Sequence, residues 1–173
     1  SFNGDISKWD VSKVLDMKNI LLGAVAFNGD ISKWDVSSVQ NMDEMFLSAT
    51  SFNSDISKWH VRNVMRMSSM FCWAASFNGD ISKWDVSSVQ HMYRMFAGAI
   101  SFNSDLSQWD VSSVITMDYM FWNAVGFRRK LCRTAWVNSK ASKLEMFTGS
   151  SGSISQTVCT AVFASRVELE RGI

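Results

Sequence analysis

Apolar residues recur along the chain with a period of 25 residues. Each unit begins with Phe-Asn, continues with I-S-K-W-D-V or a close variant, and ends with V-x-x-M-x-x-M-F-x-x-A or a close variant. The period is carried by aromatic residues at Phe2, Phe27, Phe52, Phe77, Phe102 and Phe127, and at Trp9, Trp34, Trp59, Trp84 and Trp109. A unit this short cannot bury its own apolar face, so the pattern predicts units that stack on one another in a solenoid.

The two halves of each unit predict two kinds of element. In I-S-K-W-D-V, apolar residues stand at the first, fourth and sixth positions, which is the pattern of a leucine-rich-repeat strand. Trp9 and Val11 would then point inward, while Lys8, Asp10 and Ser12 point outward. In V-x-x-M-x-x-M-F-x-x-A, apolar residues recur every three or four positions, which is typical of a helical or 3₁₀ turn. The sequence therefore predicts an α/β repeat solenoid, with short parallel strands on one face and helical or 3₁₀ turns on the other.

The period also divides the chain into three parts. Residues 1–126 hold five regular repeats. From Phe127 the pattern changes, because Arg128-Arg129-Lys130 replaces Asn-x-Asp and the next tryptophan comes two residues late. A solenoid needs an atypical end unit to cover its last repeat. We therefore predict a degenerate repeat and C-terminal cap over 127–161, followed by a tail over 162–173 that forms a short helix or an edge strand.

Composition narrows the functional classes mainly by exclusion. The chain carries 17 Lys and Arg against 16 Asp and Glu, and this balance argues against a nucleic-acid-binding protein. It contains no apolar run long enough for a membrane-spanning helix. One Asp per repeat, at Asp5 and its counterparts, is too few ligands for calcium, and two histidines without a C-x-x-C pair do not make a zinc site. We expect no metal, no cofactor and no catalysis.

The repeat resembles a known family. The unit F-N-x-D-I-S-x-W-D-V-S-x-V-x-x-M-x-x-M-F-x-x-A is similar to the BspA-like leucine-rich-repeat surface proteins. It resembles their branch with a mycoplasma-type lipoprotein repeat of unknown function, which is also common in microalgae. The resemblance covers residues 1 to about 127. It implies a right-handed solenoid at a cell surface or in a secreted protein, used for adhesion or partner binding, with no catalytic residues. The chain opens inside the pattern without an initiator Met or a signal peptide, so we interpret it as a processed or excerpted segment.

One repeat changes the charge of its outward positions. Where other repeats have K-W-D-V-S, the third has Lys58, Trp59, His60, Val61 and Arg62, and Arg66 follows. One hypothesis is that Lys58, His60, Arg62 and Arg66 form a basic spot that docks an anionic partner, such as a sulfated glycan or an acidic loop. The alternative is drift at exposed positions, where substitutions usually cost little.

Aromatic residues and cysteines supply the remaining candidates. Trp73, Tyr93, Tyr119 and Trp122 stand where other repeats have small, polar or aliphatic residues. They either anchor an interface or pack against each other between repeats. Cys132 and Cys159 bracket the predicted cap and form a disulfide if the compartment is oxidising. Function is left between two classes: a recognition or adhesion module that binds protein or glycan, and a structural subunit or rigid spacer whose partners are neighbouring subunits.

Overall fold

The computed structural model describes residues 2–159. Regular elements lie near the C-terminal end of this part: strand β1 is Lys130–Leu131, helix α1 is Thr134–Val137 and strand β2 is Ser153–Ile154. β1 and β2 pair in parallel, with Lys130 opposite Ser153 and Leu131 opposite Ile154. The repeats themselves consist of turns joined by isolated parallel bridges.

The I-S-K-W-D-V segments form turns, which corrects the prediction of strands there. In the first repeat, the Trp9 N–H donates to the Ile6 carbonyl at 3.1 Å. The residue before each turn is an Asp, and the Asp5 carboxylate accepts the Ser7 N–H at 2.9 Å. An Asp side chain that bonds the backbone two residues on favours a turn over an extended strand. The D-I-S pattern therefore overrides the strand-like spacing of the apolar residues.

The inward and outward positions nevertheless follow the pattern. In the second repeat, Trp34 and Val36 are buried, whereas Lys33 and Asp35 are exposed. Two consecutive turns thus place alternate side chains on opposite sides, as a strand does. The apolar pattern therefore predicts which residues are buried, but it does not determine the backbone conformation.

The M-x-x-M-F-x-x-A segments are not helical, which corrects the second prediction. Their N–H groups donate to carbonyls of the next repeat at Met17–Asn41, Asn19–Asp43, Leu21–Met45 and Gly23–Leu47, with lengths of 2.7–3.1 Å. The backbone is left-handed at Asn19 and Gly23, with φ of 64° and 67°. A left-handed third residue is what a type II turn requires, and it breaks a helix. These turns therefore direct N–H groups to the neighbouring repeat instead of along a helix axis.

Parallel bridges join the residue before this segment in every repeat. They run Asp16–Asn41, Asn41–Arg66, Arg66–His91, His91–Thr116 and Thr116–Ser142. The last bridge spans one residue more than the others, which absorbs the late arrival of Met146 in the degenerate repeat. The repeats are thus stacked in register. Their right-handed winding as a leucine-rich-repeat solenoid stays a prediction.

Stacked aromatic rings fill the core between the turns. Neighbouring tryptophan rings, such as Trp59 and Trp84, stack with their centroids 6.4 Å apart and their planes nearly parallel. Each buried indole also donates to a carbonyl of the preceding repeat, as the Trp84 Nε1–H does to the Ile56 carbonyl at 3.1 Å. Trp136, the tryptophan that comes two residues late, is fully buried in α1 and makes the same kind of bond to the Leu106 carbonyl at 2.9 Å. The short helix thus absorbs the two extra residues.

The C-terminal end of the stack is closed by a different set of contacts. The Ser155 N–H, just after β2, donates to the Leu131 carbonyl at 2.9 Å, which is the carbonyl that the indole of a further regular repeat would reach by the pattern of Trp136 and Leu106. A disulfide joins Cys132 to Cys159, whose Cα atoms are 5.3 Å apart. The helix or strand predicted for 162–173 lies outside the described residues.

Within residues 2–159, no helix has the length and apolar character needed to cross a membrane.

Candidate functional site

The four residues of the predicted basic spot do not form a free cationic cluster. The Arg66 Nε–H donates to the Asp43 carboxylate of the preceding repeat at 2.7 Å. The Arg62 Nε lies 3.9 Å from the Asp85 carboxylate of the following repeat, with both side chains largely exposed. The two arginines therefore face opposite directions, each towards a carboxylate. His60 and Lys58 are exposed. Hydrogen bonds from Ser37 and Ser57 are the main cause that holds the pKa of Asp35 and Asp55 below its ordinary value, and the charges of His60 and Lys58 respectively add a smaller lowering.

Arg66 is bound to a buried carboxylate. Asp43 is 3% exposed, and its second carboxylate oxygen accepts the Ser68 N–H at 2.7 Å. A buried carboxylate needs such partners, because leaving it without them costs free energy. Arg66 thus serves the junction between repeats, and this role accounts for it without an external ligand.

Arg66→Met is accordingly expected to lower the free energy of unfolding by about 1–2 kcal/mol, because Asp43 loses one partner and water reaches it only in part. Arg62→Met, the matched control, is expected to change it by less than about 0.5 kcal/mol, since exposed ion pairs contribute little. Urea unfolding of both variants checks this. Equal losses in the two variants would contradict the assignment.

His60 and Arg62 replace a pair of residues that holds a turn elsewhere. In the other regular repeats an Asp accepts the N–H of a Ser two residues on, as Asp85 does from Ser87 at 3.2 Å. This hydrogen bonding, first from the serine side chain and then from its N–H, holds the pKa of Asp85 below its ordinary value, with a smaller contribution from Arg62. The third repeat lacks both members of the pair, so its outward positions differ in turn chemistry as well as in charge.

The four candidate aromatic residues come together in two pairs on the turns of repeats three to five. Tyr93 and Tyr119 meet edge to face with ring centroids 6.0 Å apart. Trp73 and Trp122 meet edge to face at 6.1 Å. Each pair is partly exposed. The rings therefore pack on each other across repeats and still present surface to solvent, and their use as interface anchors stays a prediction. We call Trp73, Tyr93, Arg94, Tyr119 and Trp122 the aromatic patch.

Trp73 has a left-handed backbone, as Arg94 and Tyr119 of the patch also do. Its φ is 59°, a left-handed conformation that costs a bulky residue about 1–3 kcal/mol. The counterparts in the other repeats are small or polar residues with the same sign of φ, namely Gly23, Ser48, Gly98, Asn123 and Gly149. The indole lies on the backbone of Gly98, where a Cβ atom would collide with it. Trp73 is 47% exposed, so one ring face rests on Gly98 and much of the remainder meets solvent.

Arg94 is a member of the patch that the sequence analysis did not select. Its guanidinium carbon lies 5.2 Å from the ring centroid of Tyr93 and 5.2 Å from that of Tyr119. Among residues 2–159, it makes no ion pair within 4.0 Å. The signal in the sequence is that Arg94 follows Tyr93 directly and stands exactly one period before Tyr119. Two aromatic rings thus hold an exposed cation that has no carboxylate partner in the described chain.

Other reactive or polar groups have local explanations. Cys72 is buried, and this burial raises the pKa of its thiol to about 11, so it stays protonated at neutral pH. No group of three or more His, Cys, Asp and Glu residues within the described range is placed to hold a metal ion. An open groove of about 510 Å³ crosses repeats two to five, but in its wall Ser38 and Asn63 donate to carbonyls of preceding repeats. These two side chains join repeats rather than face a ligand.

Comparison with known proteins supplies a family and little beyond it. No curated protein and no solved structure matches the chain. A family model described as "Mycoplasma protein of unknown function, DUF285" matches twice, over residues 1–72 and 54–160. The two matches together cover nearly the whole sequence of 173 residues. The chain therefore belongs to the DUF285 family of mycoplasma-type proteins of unknown function.

Proposed function

We propose that the chain is a non-enzymatic recognition or adhesion module that binds a protein or a glycan through the aromatic patch. The observation that carries the proposal is Trp73, a large ring held at a left-handed position where the other repeats have Gly, Ser or Asn. Strain of this kind persists where the surrounding structure enforces it, and it is concentrated at functional sites. Trp, Tyr and Arg are also the residues that most often dominate binding energy in interfaces.

The proposal includes the fold type and the location of the module. The repeat motif resembles BspA-like leucine-rich-repeat surface proteins, and the in-register parallel bridges between repeats are those that a solenoid requires. The disulfide between Cys132 and Cys159 supports an oxidising compartment, such as the cell exterior. On this basis we propose a right-handed leucine-rich-repeat-type solenoid that acts at a cell surface or in a secreted protein.

The test compares three immobilised chains: wild type, Trp73→Gly and Ile115→Ser. Glycine relieves the left-handed strain at 73, so this variant is expected to fold with stability within about 1 kcal/mol of wild type, the lost packing on Gly98 offsetting the relief. Ile115 is an exposed apolar residue outside the patch and serves as the control. Each chain is probed with a glycan array and with surface proteins of the source organism. Ligands retained by wild type and Ile115→Ser should be lost with Trp73→Gly; identical retention by all three would reject the proposal.

The structural alternative rests on the other end of the stack. Trp9 is 54% exposed and Phe2 is 47% exposed, whereas their counterparts in the next four repeats are at most 4% exposed. The first repeat thus presents the same apolar face that every other repeat covers with its neighbour. In this alternative the chain is a subunit or spacer, and the face receives another repeat unit. Sedimentation velocity of wild type and Trp9→Ser separates the two: concentration-dependent association that Trp9→Ser abolishes supports the structural role, and a monomer at all concentrations opposes it.

A further inference from the structure

We propose that the aromatic patch binds an anionic saccharide, with the carboxylate or sulfate of the sugar on the Arg94 guanidinium and a sugar ring on the Trp73 indole. This inference rests on the proposed function and specifies its ligand. It names Arg94 as the residue that determines specificity.

Arg94 differs from the arginines of the third repeat in what it contacts. Arg66 and Arg62 each face a carboxylate, whereas Arg94 faces two tyrosine rings. Cation–π contacts orient a guanidinium without neutralising its charge. The planar group keeps its forked N–H donors, which match the paired oxygens of a carboxylate or sulfate. A preoriented, exposed guanidinium of this kind fits an anion better than it fits a neutral ligand.

The acidic groups near Arg94 are either bound elsewhere or too distant to pair with it. Asp118 is on the following repeat, and its carboxylate accepts the Leu144 N–H at 2.7 Å and a hydroxyl hydrogen bond from Ser142. These bonds hold the pKa of Asp118 below its ordinary value, the Ser142 bond being the largest cause. The pKa of the Cys72 thiol is raised mainly by burial, and it is lowered slightly by the charge of Arg94 and raised slightly by that of Glu44. Glu44 nevertheless forms no ion pair with Arg94. The cation therefore stays available to an external anion.

Trp73 supplies a flat apolar platform in the same patch. Its indole rests on Gly98, which follows Arg94 by four residues in the chain, and Trp122 meets its edge. The Trp73 N–H donates to the Ala97 carbonyl at 2.8 Å, which fixes the backbone that carries the ring. A ring fixed in this way loses little side-chain entropy on binding. Its exposed part offers the apolar face on which the C–H groups of a sugar ring stack.

The surface around the rings favours a saccharide over a folded protein. A stable protein interface contains about 20–30 residues on each side around an apolar centre. Here the positions beside the rings are small or polar: Ser68, Ser69, Gly98, Asn123 and Thr148. Hydroxyl and amide groups of this kind suit the hydroxyl-rich edge of a sugar of a few residues.

The test uses defined oligosaccharides and the full chain. Probes are an oligouronate, its methyl ester, a sulfated oligosaccharide, and the same oligosaccharide after desulfation; titration calorimetry measures affinity. Chains are wild type, Arg94→Gln, Arg94→Lys and Trp73→Gly, with Arg128→Gln as the control for non-specific attraction, since Arg128 is an exposed arginine on the cap. We expect wild type to bind an anionic probe and to lose affinity about tenfold or more with Arg94→Gln and with Trp73→Gly. Arg94→Lys should fall between, and Arg128→Gln should equal wild type.

The outcomes separate this inference from the proposed function. Binding of the uronate but not its ester assigns the carboxylate, and binding of the sulfated probe alone assigns the sulfate; both support the inference. Equal binding of anionic and neutral probes, or an unchanged affinity in Arg94→Gln, overturns the saccharide inference. If Trp73→Gly still loses affinity in that case, the proposed recognition function stands. Retention of surface proteins alone, with no probe bound, overturns the saccharide class. If no ligand of any kind distinguishes Trp73→Gly from wild type, both proposals fail.

Discussion

Alanine in place of Trp84 is expected to lower the free energy of unfolding by about 3–5 kcal/mol, the usual loss for a large aromatic residue in a packed core. Trp84 is 4% exposed and stacks on the tryptophan of the preceding repeat, Trp59, at 6.4 Å. Its Nε1–H also donates to the Ile56 carbonyl at 3.1 Å. The substitution therefore opens a cavity and removes a hydrogen bond at one junction between repeats. Urea unfolding followed by circular dichroism measures the loss.

Trp9 provides the matched control for this experiment. It is the same residue at the same position of its repeat, but it is 54% exposed and stacks on Trp34 alone. Trp9→Ala is expected to cost about 1–2 kcal/mol, because the ring is about half exposed and covers one tryptophan only. Trp84→Phe keeps a ring in the core but removes the indole N–H donor. Its loss of unfolding free energy, after the effect of the smaller ring is subtracted, reports the hydrogen bond and is expected to be about 1 kcal/mol. Similar losses for alanine at 84 and at 9 would contradict the stacking described for the core.

Removal of the disulfide is expected to cost about 3.5 kcal/mol. The two cysteines are 27 residues apart in the chain, and cross-linking a loop of this length restricts the unfolded ensemble by that amount. The same bond fixes the end of the cap, where the Cys159 N–H donates to the Cys132 carbonyl at 2.9 Å. The measurement is thermal and urea unfolding of wild type with and without reductant.

The double variant Cys132→Ser/Cys159→Ser serves as the control for reduction. Its stability should equal that of the reduced wild type and should not change on addition of reductant, because the remaining Cys72 is buried and unpaired in the described chain. A midpoint that falls with reductant in the double variant as much as in wild type would show that the loss has another cause. A wild-type midpoint unaffected by reductant would show that the bridge does not contribute.

The sequence predicts the core well because burial is periodic. The four tryptophans that follow the 25-residue period in the second to fifth repeats, Trp34, Trp59, Trp84 and Trp109, are all buried, and exposed residues such as Lys33 and Asp35 lie between buried ones. Side-chain polarity determines this pattern, and it is legible without coordinates. Backbone conformation was harder to predict, because the same alternation is produced by a strand and by consecutive turns. The Asp–x–Ser spacing, as in Asp5 and Ser7, is the local signal that distinguishes them.

The candidate site shows where prediction from sequence ends. Trp73 and Trp122 are 49 residues apart, and their contact depends on the left-handed backbone at 73 and on Gly98 between them. Neither condition is visible in the apolar pattern. The apolar pattern does not indicate Arg94 either. An exposed arginine becomes a candidate only once the structure shows two tyrosines of different repeats beside it. Arg66 was selected for its charge, and the buried partner that explains it, Asp43, lies in the preceding repeat.

The hydrogen bonds between successive M-x-x-M-F-x-x-A segments have a consequence for variation among repeats. They join main-chain atoms, so they form whichever side chain a turn position carries, and side chains such as Asp43 and Asp118 add further hydrogen bonds to the next repeat. At the left-handed positions the repeats carry residues as different as Gly23, Glu44, Trp73 and Tyr119 on the same backbone. A chain built in this way separates its framework from its outward residues, much as an antibody domain separates its sheets from its loops. These turn positions are therefore the natural place to randomise when new binding surfaces are sought on the same stack.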